Sequence, residues 1–125
     1  MYTNQSLFET VARHLFAQGE RSLSTRGCAY RGVNGTSCAV GCVIPDDLYR
    51  ESMEGRGIMG VLGYPGVSDH LKGVHESLLL DLQVTHDAPD SWENSNRMTD
   101  CLVSVGSEHG LSVSFLDSCY FGMNK

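Results

Sequence analysis

The chain contains cysteine, histidine and aspartate, the residue types that catalysis by a cysteine nucleophile requires. A thiolate needs a base to accept its proton, and a carboxylate that sets the tautomer of that base improves it. Cys38, His86 and Asp87 supply these groups. Because Asp87 directly follows His86, whereas the third member of such triads is usually distant in sequence, we favour a core histidine that donates to a backbone carbonyl. Catalysis by Cys38, His86 and Asp87 is the alternative.

The cysteines and histidines also raise the question of a metal site. Cys38 and Cys42 are separated by three residues, not by the two that are typical of structural zinc knuckles. On a strand they would lie roughly 13 Å apart, and on a helix they would share a face. His70 and His75 are five residues apart, which does not place two imidazoles together on a helix. The sequence therefore predicts no metal and no cofactor, with buried thiols acting as small hydrophobic groups.

Residues 55–60 read Gly-Arg-Gly-Ile-Met-Gly, a glycine pattern that binds dinucleotides only between a strand and a helix. The polar segment before it and the glycines and proline after it argue against nucleotide binding. Arginines and tyrosines surround this segment and the cysteines, and such residues line surfaces for anionic ligands or for partner proteins. The candidate binding residues are Tyr30, Arg31, Tyr49, Arg56 and Tyr64.

Composition limits the class of protein. The 125 residues include nine Lys and Arg and fifteen Asp and Glu, which gives a net charge of −6. Binding to nucleic acid without sequence preference needs clustered cations, so we predict no direct nucleic-acid binding. The length and the 41% hydrophobic content are typical of a globular chain. We therefore expect one compact domain over residues 1–125.

The N-terminal residues and the cysteine count predict a cytoplasmic protein. Residues 1–10 lack the basic start and apolar run of a signal peptide. The longest apolar stretch, residues 78–80, is too short for a membrane span. Five cysteines cannot all pair within the chain, and without an export signal we expect reduced thiols.

Helical periodicity predicts three main helices. Apolar residues indicate a first helix over residues 4–18, capped by Asn4 and ended by Gly19. A second is expected over residues 68–85, and a capping-box pattern opens a third at residues 90–93.

A C-terminal strand and a glycine-rich loop are predicted outside the helices. Residues 111–115 alternate between apolar and polar side chains, which predicts a C-terminal strand. Residues 55–66 contain five glycines and a proline and are expected to form an extended loop. The predicted fold class is α+β, with three main helices packed on a short β-hairpin and a C-terminal strand.

Residues 28–44 leave two structures open. Asn34-Gly35 is the strongest two-residue hairpin signal, and a tight turn there would pair Arg31 with Cys38. The alternative ends a strand at Val33 and begins a helix capped by Ser37. We favour the hairpin, packed against the helix that carries His86.

Three segments of the chain carry a resemblance. They are residues 27–31 (Gly-Cys-Ala-Tyr-Arg), 38–45 (Cys-Ala-Val-Gly-Cys-Val-Ile-Pro) and 82–87 (Leu-Gln-Val-Thr-His-Asp). Together they resemble small proteins of unknown function encoded by tailed bacteriophages and prophages, and more distantly a short bacterial family with a similar Cys-Ala-x-Gly segment. The resemblance spans most of the chain and is less clear from Trp92 onward. It implies an accessory role, because small phage proteins often bind and block a host component.

We therefore expect a non-enzymatic phage-type accessory protein in the host cytoplasm. Its expected partner is a host protein or protein complex, and its expected action is anti-defence inhibition, for example of a CRISPR effector. The alternative is a small-molecule protein. That protein would be either an enzyme using Cys38 and His86 or a binder of a charged nucleotide signal held by arginines. Whether it forms a homodimer is left open.

Overall fold

Three long helices and a small β-hairpin dominate the computed structural model, which describes residues 2–124. The α-helices are α1 (Asn4–Gln18), α2 (Ile58–Leu62), α3 (Val67–His70), α4 (Glu76–Asp87) and α5 (Ser95–Glu108). The strands β1 (Leu23–Ser24) and β2 (Gly27–Cys28) pair in antiparallel orientation. Short 3-10 turns lie at Val33–Gly35, Gly41–Val43, Glu51–Met53, Pro89–Trp92 and Ser114–Ser118. The predicted α+β fold class is confirmed, and the described residues contain three main helices and one short β-hairpin.

Helix α1 spans the predicted residues 4–18, but its cap differs. The Thr3 side chain accepts a hydrogen bond from the Ser6 N–H, and the Ser6 hydroxyl accepts one from the Thr3 N–H. This reciprocal pair is a capping box. Asn4, the predicted cap, instead accepts from the N–H of His75 at 2.9 Å and so joins α1 to the start of α4. Gly19 ends the helix with a φ of 73°, as predicted.

The core lies between α1, α4 and α5, and α1 also packs on the turn at residues 41–43. Burying one large apolar side chain contributes about 1.5–3 kcal/mol. None of the helices within residues 2–124 combines the length and the apolar character that a bilayer crossing requires. The fully buried members of the three helices include Leu7, Phe8, Val11, Leu15, Phe16, Leu78, Leu82, Met98 and Leu102.

The second and third helices are shorter than predicted. The helix expected over residues 68–85 is divided into α3 and α4, with Gly73, a poor helix former, in the gap. The capping-box prediction at residues 90–93 is wrong, because Pro89–Trp92 forms a separate 3-10 turn. Asn94 caps α5 instead, since its side chain accepts from the N–H of Arg97 at 2.8 Å.

The hairpin prediction at Asn34-Gly35 is wrong in register and in extent. Asn34 adopts a left-handed φ of 59° inside a three-residue turn, and Arg31 bridges to Ser37 rather than to Cys38. The extra turn residue shifts the pairing by one position. Residues 38–44 form neither a strand nor an α-helix, since they contain the turn at Gly41–Val43. The hairpin that forms is β1–β2, earlier in the chain.

The predictions for residues 111–115 and 55–66 are also wrong. Residues 111–115 form no strand, and the 3-10 turn begins at Ser114. The Gln5 side chain accepts from the Ser112 N–H and donates to the Ser112 carbonyl. It therefore satisfies backbone groups that a strand partner would otherwise need to bind. Residues 55–66 contain helix α2.

Candidate functional site: a cleft beside the C-terminal end of helix α4

The three segments that carry the resemblance meet at the end of α4. Gln83 joins two of them, because its Oε1 accepts from the Val40 N–H at 3.1 Å and its Nε2 donates to Asp87 Oδ1 at 3.1 Å. Cys28, His86 and Asp87 also meet there, with one ligand-type atom of each lying within 4.8 Å of the others. Residues far apart in sequence thus share one hydrogen-bonded cluster.

Two hydrogen bonds set the tautomer of His86, which is fully buried. The Ser22 N–H donates to Nε2 at 2.9 Å. A backbone N–H only donates, so Nε2 is the unprotonated nitrogen and Nδ1 carries the proton. Nδ1 lies 2.8 Å from Asp87 Oδ1 and donates to it. The histidine lies in the core as we favoured, but it accepts from a backbone amide instead of donating to a carbonyl.

The spacing of Cys28, His86 and Asp87 suits a metal ion, but the tautomer of His86 does not. A histidine binds a metal through an unprotonated nitrogen. The Nε2 lone pair receives the Ser22 N–H, and Nδ1 holds the proton that binds Asp87. Ligation would therefore require loss of a buried hydrogen bond or an imidazolate. In this arrangement the three residues form a hydrogen-bond network.

Cys28 is the exposed member of the five cysteines, all of which lie in the described residues. Its pKa is raised by burial and then by the charge and hydrogen bonding of Asp87, against a smaller lowering by Arg21. A thiol with a raised pKa is mostly protonated at neutral pH and is a weak nucleophile. Cys28 is thus a protonated thiol beside a carboxylate.

Cys38, the predicted nucleophile, is not a member of the Cys28–His86–Asp87 group, although its side chain is hydrogen-bonded with that of Gln83. It is fully buried, and its sulfur accepts from the Gly41 N–H at 3.2 Å. Burial raises its pKa to about 12, and burial does the same to Cys42. The acceptor nitrogen of His86 is already occupied by a backbone amide. The structure brings His86 and Asp87 together, and the cysteine beside them is Cys28, which the sequence analysis did not select.

We expect Cys28 to react much faster than Cys38 in the folded protein, because the pKa values of both thiols are raised and only Cys28 is exposed. Cys28 should react first with N-ethylmaleimide at pH 7.5, while buried Cys38 should react at least about 100-fold more slowly, because it must wait for local opening. Peptide mapping by mass spectrometry over time measures both rates. The Cys28→Ser variant should lack the fast phase. Equal labelling rates for Cys28 and Cys38 would contradict this assignment.

Three of the five predicted binding residues, Tyr30, Arg31 and Tyr49, bind Glu54, which was not predicted as a site residue. Its carboxylate accepts from the N–H of Tyr30 at 2.9 Å, from the N–H of Arg31 at 3.0 Å and from the Tyr49 hydroxyl at 2.6 Å. The Tyr30 hydroxyl donates to the Arg56 carbonyl at 2.6 Å. These bonds hold the segment before α2 against the segment after β2.

Arg31 and Arg56 each donate hydrogen bonds to groups of the protein itself. Arg31 pairs with Asp46 at 2.7 Å and lies 4.4 Å above the Tyr49 ring. Arg56 Nε donates to the Ser52 carbonyl at 3.1 Å. The remaining predicted binding residue, Tyr64, has its hydroxyl 2.7 Å from the Ser52 hydroxyl. Within residues 2–124, these arginines do not converge on one empty anion site.

A cleft of about 430 Å³ opens beside the Cys28–His86–Asp87 cluster, and we refer to it as the α4 cleft. Leu80 and Val84 form an apolar rim on α4 and are 43% and 66% exposed. Two predicted binding residues, Tyr30 and Arg56, belong to its lining. The lining residues are Cys28, Ala29, Tyr30, Gly55, Arg56, Gly57, Ile58, Leu80, Gln83, Val84 and Asp87.

Comparisons of the chain with known protein families, with curated proteins and with solved structures found no match. Function is therefore inferred from the geometry and chemistry of the α4 cleft and its surroundings.

Proposed function

We propose that this protein is a non-enzymatic accessory protein that binds a partner protein through the α4 cleft. The observation that carries this proposal is the exposure of Leu80 and Val84 on the rim of an open cleft. Met59, also exposed, adjoins the lining residue Ile58 in sequence. Apolar side chains exposed around a cleft with polar residues are typical of protein-binding surfaces.

The rim has the spacing of a helix that takes part in a protein interface. Leu80 and Val84 are four residues apart on α4, so they lie one above the other on the same face. A partner that buries them gains about 1.5–3 kcal/mol for each side chain. Interfaces concentrate their binding energy in a few such side chains around a central pocket.

The partner is a host protein or protein complex, and the action is inhibition of a host defence, for example of a CRISPR effector. The support is the resemblance to small phage proteins, whose three segments all contribute to the cluster beside the α4 cleft. The net charge of −6 favours binding to a protein over binding to the phosphates of nucleic acid.

Catalysis has less support than binding. The pKa values of Cys28 and Cys38 are both raised, which opposes thiolate formation. The His86 nitrogen that a base would use accepts from Ser22. A charged nucleotide signal also lacks support, because Arg31 and Arg56 donate to groups of the protein itself.

Partner capture with matched surface variants tests the proposal. A tagged wild-type chain is expected to recover a stoichiometric partner from a lysate of the bacterial host. Val84→Arg, on the cleft rim, should lose at least about 90% of the recovered partner, because it places a charge in an apolar contact. Val33→Arg is the control, since Val33 is 56% exposed and lies outside the cleft lining.

Two outcomes of this experiment would contradict the proposal. One is that the wild-type chain recovers no stoichiometric partner. The other is that Val84→Arg and Val33→Arg recover the same partner equally well. Circular dichroism of both variants should match wild type, because both positions are exposed.

A further inference from the structure

We infer that the Asp87 end of the α4 cleft receives a lysine or arginine side chain of the partner protein. The inference rests on the proposed function and adds the chemistry of the partner. It joins a held carboxylate, the C-terminal end of a helix and an apolar wall beside them.

The Asp87 carboxylate is held in place before any partner arrives. Its Oδ1 accepts from His86 Nδ1 at 2.8 Å and from Gln83 Nε2 at 3.1 Å. Its side chain is 44% exposed and lines the cleft. A carboxylate that is positioned and still accessible loses little conformational freedom when a cation binds.

The position of Asp87 in the fold adds to its attraction for cations. It is the last residue of α4, and the C-terminal end of a helix carries a partial negative charge. The net charge of −6 attracts basic partners at longer range. The C-terminal end of the helix, the Asp87 carboxylate and the net charge of the chain therefore all favour a positively charged ligand.

Two cations of the protein, Arg21 and Arg56, lie near the cleft and oppose this field. Arg56 lines the cleft and keeps its positive charge, although the hydrogen bond from its Nε to the Ser52 carbonyl fixes where part of the guanidinium lies. Arg21 lowers the pKa of Cys28 by less than Asp87 raises it. At the Cys28 sulfur, the carboxylate therefore outweighs the nearby guanidinium.

The apolar wall fits the stem of a long basic side chain. Val84 and Leu80 precede Asp87 by one and two helical turns, and seven residues of α-helix span about 10 Å. Lysine and arginine bury their methylene stems on apolar surface while their charged heads bind elsewhere. Ile58 lines the same cleft and adds to its apolar surface.

An NMR titration with side-chain mimics tests this inference on the isolated chain. The probes are n-butylamine and n-butylguanidinium, with n-butanol and butyrate as uncharged and anionic controls. The two cations should shift the backbone amide signals of Cys28, Val84 and Asp87 in a saturable manner, and more strongly than either control. Asp87→Asn should weaken cation binding about tenfold, because it removes a charge-assisted hydrogen bond.

Asp87→Asn keeps an oxygen that can accept from His86, so the fold should persist, and urea unfolding checks this. Glu108→Gln is the matched control, since it removes the same charge from an exposed position outside the cleft lining. Its cation affinity should equal that of wild type. Equal weakening by both variants, or butyrate binding as tightly as butylguanidinium, would overturn the inference.

The two proposals fail separately. If Val84→Arg loses the partner while Asp87→Asn binds cations like wild type, the proposed function stands and the inference of a basic partner side chain is wrong. If cations bind wild type and not Asp87→Asn while no partner is recovered, the cleft chemistry stands and the proposed function is wrong.

Discussion

Replacing His86 with alanine should lower the free energy of unfolding by about 4 kcal/mol, the sum of a buried-cavity cost and an unpaired donor. The imidazole is fully buried and packs edge-on against Trp92. Its removal leaves the Ser22 N–H without its acceptor and takes a donor from Asp87. Urea unfolding measures the change.

Two further variants separate the causes of this loss. His86→Phe keeps a ring in the core but no acceptor, so it should retain part of the stability and lose about 2 kcal/mol. His75→Ala, at the exposed start of the same helix, should change stability by less than about 0.5 kcal/mol. Similar unfolding midpoints for His86→Ala and His75→Ala would show that His86 does not join α4 to the segment at Ser22. A protonated Nε2 in ¹⁵N NMR spectra would contradict the assigned tautomer.

Replacing Gly41 with alanine should destabilise the protein by at least about 3 kcal/mol. A Cβ at this position would overlap the Tyr30 carbonyl oxygen and lie 2.8 Å from its carbonyl carbon. The same oxygen accepts from the Cys38 N–H, so it cannot move without breaking that bond. Two backbone segments thus approach each other where only glycine fits.

Gly57→Ala is the matched control for this substitution. Gly57 has a φ of −72°, and a Cβ there meets nothing within 4 Å. Alanine should therefore change the free energy of unfolding by less than about 1 kcal/mol. Any change should be stabilising, because alanine reduces the conformational entropy of the unfolded chain. Thermal unfolding compares the two variants. If Gly41→Ala unfolds at the temperature of Gly57→Ala, the close approach at Tyr30 is not required.

Local sequence signals predicted the helices better than the rest of the fold. The apolar face of α1 and the end of the helix at Gly19 are both determined by residues close together in the sequence. Both predictions are confirmed. The alternation in residues 111–115 was equally local, but it did not produce a strand. The reason is distant in sequence, because the Gln5 side chain binds both backbone groups of Ser112. The sequence of residues 111–115 alone therefore could not predict that Gln5 binds this segment.

The candidate site was predicted only in part, for the same reason. His86 and Asp87 were candidates from the sequence, and the structure places them in contact. Cys38 was the predicted nucleophile, but it is fully buried next to the turn at Gly41–Val43. Cys28 reaches the cluster because it pairs with Leu23 in the β1–β2 hairpin, and the adjacent Ser22, 64 residues before His86, donates to that ring.

The position of Trp92 gives the protein a built-in optical probe. Its indole N–H donates to the His86 carbonyl at 2.7 Å, and its ring stacks on Phe121 with centroids 5.6 Å apart. The chain contains one tryptophan. All of its intrinsic indole emission therefore originates in the layer that joins α4 to the C-terminal segment, so loosening of that layer can be followed in the unlabelled chain.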